Sequence, residues 1–197
     1  MGEQRPLTVP QHYYALLETA IGTIGIAWSA VGLTALQLPE ADRRATERRL
    51  KRIAVGVLAA DPPAPIRGAI AEISAYCCGS QVAFASVALD LARVPSFALR
   101  VYTAARAVPW GRTATYGELA RRIGQPLAAR AVGQALGQNP LPIIIPCHRV
   151  LASGGKIGGF SAYRGARTKR QLLALEGVQL GAPCGTPLLP GLLPAEG

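Results

Sequence analysis

The chain has 197 residues, half of them apolar and 16% charged, with 22 glycines and 16 prolines. That is enough chain to bury one large core or two smaller ones, and too little Gly and Pro for a collagen-like or wholly disordered polymer. The formal charge is +10, a sign that attracts phosphate-bearing partners or anionic lipid.

Residues 1 to 14 contain Glu3, Arg5, Pro6 and Pro10 and no apolar run, so no signal peptide is expected. The 21 residues between Glu18 and Glu40 carry no charge and are long enough to span a bilayer. Glycines interrupt them, however, and Thr23-Ile24-Gly25-Ile26-Ala27-Trp28 alternates apolar with small or polar residues as a half-buried strand does. The pattern predicts strands over 13–18, 23–29 and 33–38, then a helix over 41–59 whose Arg43, Arg44, Arg48, Arg49, Lys51 and Arg52 read as an exposed face. Pro62, Pro63 and Pro65 break the chain before a helix over 66–78, where Cys77 and Cys78 are expected as small buried hydrophobes. The first half thus reads as a mixed α/β or α+β unit. The four cysteines form no CxxC pair or regular spacing, and His12 and His148 lie far apart, which predicts no metal and a reduced, cytoplasmic setting. A Pro/Gly-rich tail is expected over 181–197.

Charge is divided unevenly. Residues 1–90 hold eight basic and eight acidic side chains, and residues 91–178 hold thirteen and two. A nucleic-acid reading therefore attaches to the second half, although a solvated basic face has the same composition. Within that half, Thr115-Tyr116-Gly117-Glu118 has capping-box form and starts a short helix that ends at Gly124-Gln125-Pro126. A second helix follows over 128–138, giving the outline of a helix-turn-helix. Its outward face, Ala129, Arg130, Gly133 and Gln134, is too small to read major-groove base edges. It suits close approach with one projecting arginine, or simple packing against the core.

Ile143-Ile144-Ile145 reads as a buried strand leading to Pro146-Cys147-His148-Arg149, with Pro140, Pro142 and Pro146 stiffening the backbone. A rigidly mounted thiol beside an imidazole and Arg149 suits a nucleophile. A helix capped by Thr168 and closed by Gly177 would hold Glu176 in its last turn, where the dipole disfavours a carboxylate. An imidazole oriented by Glu176 would compensate, giving Cys147, His148 and Glu176 the parts of nucleophile, base and orienter.

Pro146-Cys147-His148-Arg149-Val150, with Ala128-Ala129-Arg130-Ala131-Val132-Gly133, Asn139-Pro140 and Tyr116-Gly117-Glu118-Leu119-Ala120 before it and Leu172-Leu173-Ala174-Leu175-Glu176-Gly177 after it, closely resembles the O6-alkylguanine-DNA alkyltransferases. The resemblance is strong from about Ser96 to Gly177. It implies an α+β protein with an N-terminal RNase H-like α/β domain (1–92), a C-terminal winged helix-turn-helix catalytic domain (93–180) and the tail (181–197). It further implies a monomer that binds double-stranded DNA through the minor groove and flips the lesion base. The O6-alkyl group then passes irreversibly to Cys147, once per molecule and without a cofactor. Matched residue by residue, His148 activates Cys147 through a water with Glu176 behind it, and Asn139 holds the network. Tyr116 protonates or hydrogen-bonds the leaving guanine. Arg130 fills the gap left by the flipped base, and Ala129, Gly133 and Gln134 face the DNA. Phe160, Ser161, Pro142 and Arg149 are expected around the pocket.

Two features depart from the family pattern. Phe160 stands where a tyrosine is common, and the run to Glu176, containing Ala162-Tyr163-Arg164, is two residues longer than in the shortest members. The metal-binding cysteine domain fused to some bacterial members is not expected here, which argues against a methylation-triggered transcription activator. A non-catalytic protein that recognises alkylated bases is the alternative, although that class carries Trp at the position of Cys147. A cysteine hydrolase is the third reading, and it predicts turnover.

Overall fold

The computed structural model describes residues 12–54, 57–59 and 61–179, and the segment read as a tail lies outside them. Strands β1 (Tyr13–Thr19) and β2 (Gly22–Trp28) form an antiparallel hairpin with Thr19 opposite Gly22, and β3 (Leu33–Gln37) pairs antiparallel with β2 across an irregularity at Ala27/Trp28. Ile24, Ile26 and Trp28 enter the main core, while Ala27 joins Tyr14, Ala35, Leu50 and Ala54 on the other face. Both faces of β2 are covered, which is why its sequence alternates apolar with small residues rather than with charges. Among the described residues no helix is long and apolar enough to cross a membrane.

Helix α1 (Arg43–Ile53) covers the second face. Asp42 caps it by accepting a hydrogen bond from the Ala45 N–H at 2.7 Å. Gly25 lets it settle there, because a Cβ at that position would lie 2.9 Å from a methyl of Leu50. The helix is shorter than the expected 41–59. Ala54 is extended, and the chain returns as β4 (Val57–Leu58), parallel to β1, completing the order β3-β2-β1-β4. Val55-Gly56-Val57 is a poor helix-forming run, and the edge of β1 pairs with Val57 and Leu58 instead.

Helix α2 (Ala64–Cys77) begins behind the prolines. Cys77 is buried as expected, but Cys78 closes the helix on the surface and is exposed. The second half contributes α3 (Ser96–Arg106), β5 (Ala114–Thr115), α4 (Tyr116–Arg122), α5 (Ala129–Gly137), β6 (Val150–Leu151), parallel to β5, and α6 (Ala166–Leu175). The capping box closes in both directions: Glu118 N–H donates to Thr115 Oγ1 at 3.1 Å, and Thr115 N–H donates to Glu118 Oε2 at 2.6 Å. Gly124, at φ +73°, makes the turn between α4 and α5.

Two local expectations fail. Ile143–Ile145 are buried but form turns rather than a strand, with Ile143 at φ +75° and Ile145 N–H bonded back to Leu141 O at 2.8 Å. Three prolines deny the segment the donors a ladder needs. Asn139 substitutes for a neighbouring strand, donating through Nδ2 to Ile145 O at 2.8 Å and accepting from Leu141 N–H at 3.0 Å. Helix α6 begins at Ala166 behind Gly165, so Thr168 lies inside it, and its hydroxyl donates to Tyr163 O rather than capping.

One apolar cluster runs through both halves, uniting Ile24, Ile26 and Leu36 with Val101, Val132 and Ile145. The Leu36 N–H also donates to Pro140 O at 2.8 Å, tying β3 to the segment before Cys147. Replacing the capping threonine, Thr115→Ala, is expected to destabilise the protein by about 1 kcal/mol. A thermal melt should read this as a drop of about 2–4 °C, and an unchanged midpoint would show the cap to be energetically idle.

Candidate active site

Cys147, His148 and Arg149 form a single 3₁₀ turn, and all three are buried. The turn sends their side chains to different places. Cys147 borders a cavity of about 820 Å³ that is also lined by Tyr116, Ala129, Arg130, Gly133, Gln134, Asn139, Pro142, Phe160 and Ser161. His148 and Arg149 instead reach the carboxylate of Glu176, just past the end of α6.

That carboxylate is fully buried and accepts five hydrogen bonds. His148 Nε2 lies 2.7 Å from Oε1, Arg149 donates through Nε to Oε2 at 2.8 Å and through Nη2 to Oε1 at 3.0 Å, Tyr76 donates its hydroxyl to Oε1 at 2.8 Å, and the Gly111 N–H reaches Oε2 at 3.4 Å. Burial works against the charge, but the bonds from His148 and Arg149 outweigh it and hold the Glu176 carboxyl down to about 2. The compensation inferred from the helix dipole is therefore real, and larger than one imidazole.

Burial, only partly offset by the hydrogen bond to Glu176, pushes the His148 imidazole below its usual value, so it is neutral at pH 7. With Nε2–H donated to Glu176, Nδ1 carries the lone pair, and this buried atom has no hydrogen-bond partner among the described residues. A base of this kind can take a proton.

The surroundings of Cys147 do not ionise its thiol at rest. Burial pushes it up, against the lowering effects of the Asn139 side chain, the Lys169 charge and the backbone N–H groups of Cys147 and His148. Arg149 does not supply the positive field. Its guanidinium is committed to Glu176 and to Val108 O at 2.7 Å, and it stays outside the cavity where it was expected. The sulfur therefore rests as a thiol and needs a base when it reacts.

Lys169 and Tyr76 were not legible in the sequence as site residues. Lys169 is fully buried in α6; its ammonium donates to Val150 O and lies 5.7 Å above the Tyr116 ring and 6.0 Å above the Phe160 ring. Burial, despite the attraction of Cys147, brings it down to about 8. Spacing hinted at it, since Lys169 falls on the same side of α6 as Leu172 and Leu173, which are also buried. Tyr76 comes from α2 in the first half and packs edge-on against Trp110, centroids 5.4 Å apart. No local sequence signal pointed to it.

The remaining predicted residues gather at the cavity. The Tyr116 ring sits between α5 and the segment before Phe160: a Cβ at Gly133 would lie 3.8 Å from it, and one at Gly158 only 3.0 Å. Ser161 donates its hydroxyl to Gly137 O at 2.8 Å. Ala129, Arg130, Gly133 and Gln134 share the wall formed by α5, with Arg130 and Gln134 exposed.

Residues 96–178 match the family described as 6-O-methylguanine DNA methyltransferase, DNA binding domain. The chain is 37% identical over 164 residues to the methylated-DNA–protein-cysteine methyltransferase of Mycobacterium tuberculosis, covering 83% of this chain and 92% of that protein. It is 36% identical over 168 residues to the protein of that name from Methanosarcina acetivorans, covering 84% and 98%. Among solved structures, Mycobacterium tuberculosis OGT in complex with DNA superimposes with a TM-score of 0.68 at 39% identity, covering 83% of this chain and 92% of that one. The O6-methylguanine-DNA methyltransferase of Pyrococcus kodakaraensis gives 0.65 at 26% identity, covering 84% and 99%.

Because the Glu176 carboxyl is depressed in the folded state, its stabilisation is present above the usual carboxyl value near 4.5 and is lost as pH falls toward about 2. Urea melts from pH 6 to pH 2 should therefore show declining stability through that window. Glu176→Gln should flatten the slope and lower stability at pH 7 by about 3–5 kcal/mol, because Arg149 is left buried without its partner. An unaltered acid slope in the variant would remove Glu176 from this role.

Proposed function

The chain belongs to the methylated-DNA–protein-cysteine methyltransferase family and repairs DNA by alkyl transfer, and from that premise we propose that Cys147 is the acceptor of the alkyl group of an O6-alkylguanine flipped out of the duplex. One observation carries this reading: Cys147 lines the same cavity as Arg130 and Tyr116, and the adjoining neutral His148 is buried with an Nδ1 that has no partner among the described residues.

The reaction is a displacement at carbon. His148 Nδ1 takes the thiol proton through a water, and Glu176 steadies the imidazolium that results. The thiolate forms the S–C bond as the C–O6 bond breaks, and the bonding pair leaves with guanine, which is protonated or hydrogen-bonded by Tyr116. Asn139 and Lys169 favour the sulfur's negative charge at that moment. The product is a thioether that no neighbouring group can cleave, so each molecule acts once. Ser161 contacts the guanine near O6, and Phe160 and Pro142 shape the pocket.

Arg130 fills the stack vacated by the base, and Ala129, Gly133 and Gln134 allow α5 to lie against the minor groove. Residues 93–180 are the winged helix-turn-helix catalytic unit, a reading supported by the tight α4–α5 turn and the β5–β6 pair. Residues 1–92 are the RNase H-like unit, a reading supported by the four-stranded sheet. Every group in the mechanism comes from one chain, so a monomer suffices.

Incubation with a duplex carrying labelled O6-methylguanine should place one equivalent of label in the Cys147 peptide and none in Cys147→Ser. Tight binding without label would indicate a binder, and many equivalents consumed per protein would indicate a hydrolase. Arg130→Ala should slow repair of duplex by roughly 10- to 100-fold while affecting free O6-methylguanine far less, since base extrusion costs a few kcal/mol. Equal losses on both substrates would contradict the assignment.

A further inference from the structure

Helix α1 carries Arg43, Arg44, Arg48, Arg49, Lys51 and Arg52 against the single acid Glu47. Two of these cations are neutralised, Arg43 by Glu18 and Lys51 by Glu47 at 2.9 Å. Arg44, Arg48, Arg49 and Arg52 are exposed and make no ion pair among the described residues. At about 100° per residue, Arg49 lies beside Ile53, and Arg52 and Arg48 continue the stripe around the helix over roughly another 100°. Thr46 and Leu50 point into the protein, roughly opposite Arg48, with Arg49 and Ile53 at the edge of that buried side.

The stripe starts at the cavity. Arg49 and Ile53 line the same space as Cys147 and Arg130, and β3, on which α1 packs, is bonded to the segment before Cys147 through Leu36 and Pro140. Four arginines on one helix surface repel one another, and none has an acidic partner among the described residues. Arg49 shares the cavity with Arg130 of α5, and Arg52 and Arg48 lead from it around the helix toward solvent.

We propose that the Arg48, Arg49 and Arg52 stripe of α1 is a second contact with DNA, holding backbone phosphates next to the nucleotide that enters the cavity. The proposal rests on the reading that the cavity receives a base from a duplex. Arg48 and Arg52 are about 6 Å apart along the helix axis, close to two steps of about 3.4 Å along one DNA strand. Phosphate contact needs only positive charge and reach, and Arg49, on the cavity wall, is nearest to where the extruded nucleotide must pass. The half of the chain that is electrically neutral overall thus presents a local cation cluster where it meets the substrate.

The test is the salt dependence of binding to a duplex bearing O6-methylguanine, measured for the full chain between 50 and 200 mM salt. Arg48→Ala/Arg49→Ala/Arg52→Ala should reduce the slope of log K against log salt by about 2 to 3, at close to 0.9 per phosphate released. Arg43→Ala/Lys51→Ala, on the paired side of the same helix, should leave the slope within a few tenths of the parent's. Melting temperatures within a few degrees of the parent's establish that the variants are folded. An unchanged slope in the triple variant overturns the proposal and leaves the stripe to an acidic protein surface. An equal loss per charge in the two variants also overturns it, because that signals a long-range field. Failure of the underlying reading looks different: the parent protein would then take no label from duplex DNA.

Discussion

The Glu176 carboxylate is the point on which the site depends. Five donor groups from three parts of the chain converge on it, at the end of α6: Tyr76 from α2, the Gly111 N–H from the segment after α3, and His148 and Arg149 (twice) from the 3₁₀ turn. Removing such a charge from water is costly, and only a nearly complete set of charge-assisted bonds offsets the cost. Once assembled, the network sets the imidazole's tautomer, holds the Arg149 guanidinium outside the cavity, and anchors α6, from which Lys169 reaches the rings of Tyr116 and Phe160. In the proposed mechanism, catalytic order and tertiary order therefore share one set of bonds.

Electrostatics around the sulfur follow from this division. Arg149 and Glu176 neutralise one another, so the positive charge felt by the sulfur is that of the buried Lys169 ammonium, held over two aromatic rings. A thiol in such surroundings is quiet until a base removes its proton. For a protein that reacts once and carries other cysteines, Cys78 among them on the surface, a reserved nucleophile avoids being spent on adventitious electrophiles.

Much of this was legible where the determinants are local. The period-2 alternation of 23–28, the Thr115–Glu118 capping box and the glycines at 124 and 177 all act within a few residues, and each produced the element expected of it. The pairing of His148 with Glu176 was legible because Glu176 occupies an electrostatically awkward place that called for a partner. The rest depended on distance in sequence. Tyr76 meets Glu176 from 100 positions away, and nothing in the run around it marks a hydroxyl that will be buried. Arg149 was misread because proximity to a thiol in the chain says nothing of the direction in which the side chain leaves the backbone. The three isoleucines had a strand's composition, but the prolines beside them removed the donors that a strand requires.

The turn that carries the motif has about three residues per revolution, so successive side chains leave its axis roughly 120° apart. Neighbours on the chain are thereby made strangers in space: sulfur looks into the cavity, while imidazole and guanidinium look into the wall. Deleting or inserting one residue within the tripeptide would re-index these directions, presenting a ring or a guanidinium to the substrate and entombing the sulfur. The unbroken Cys-His-Arg order is consequently a demand of angular bookkeeping, separate from the chemistry that each side chain performs.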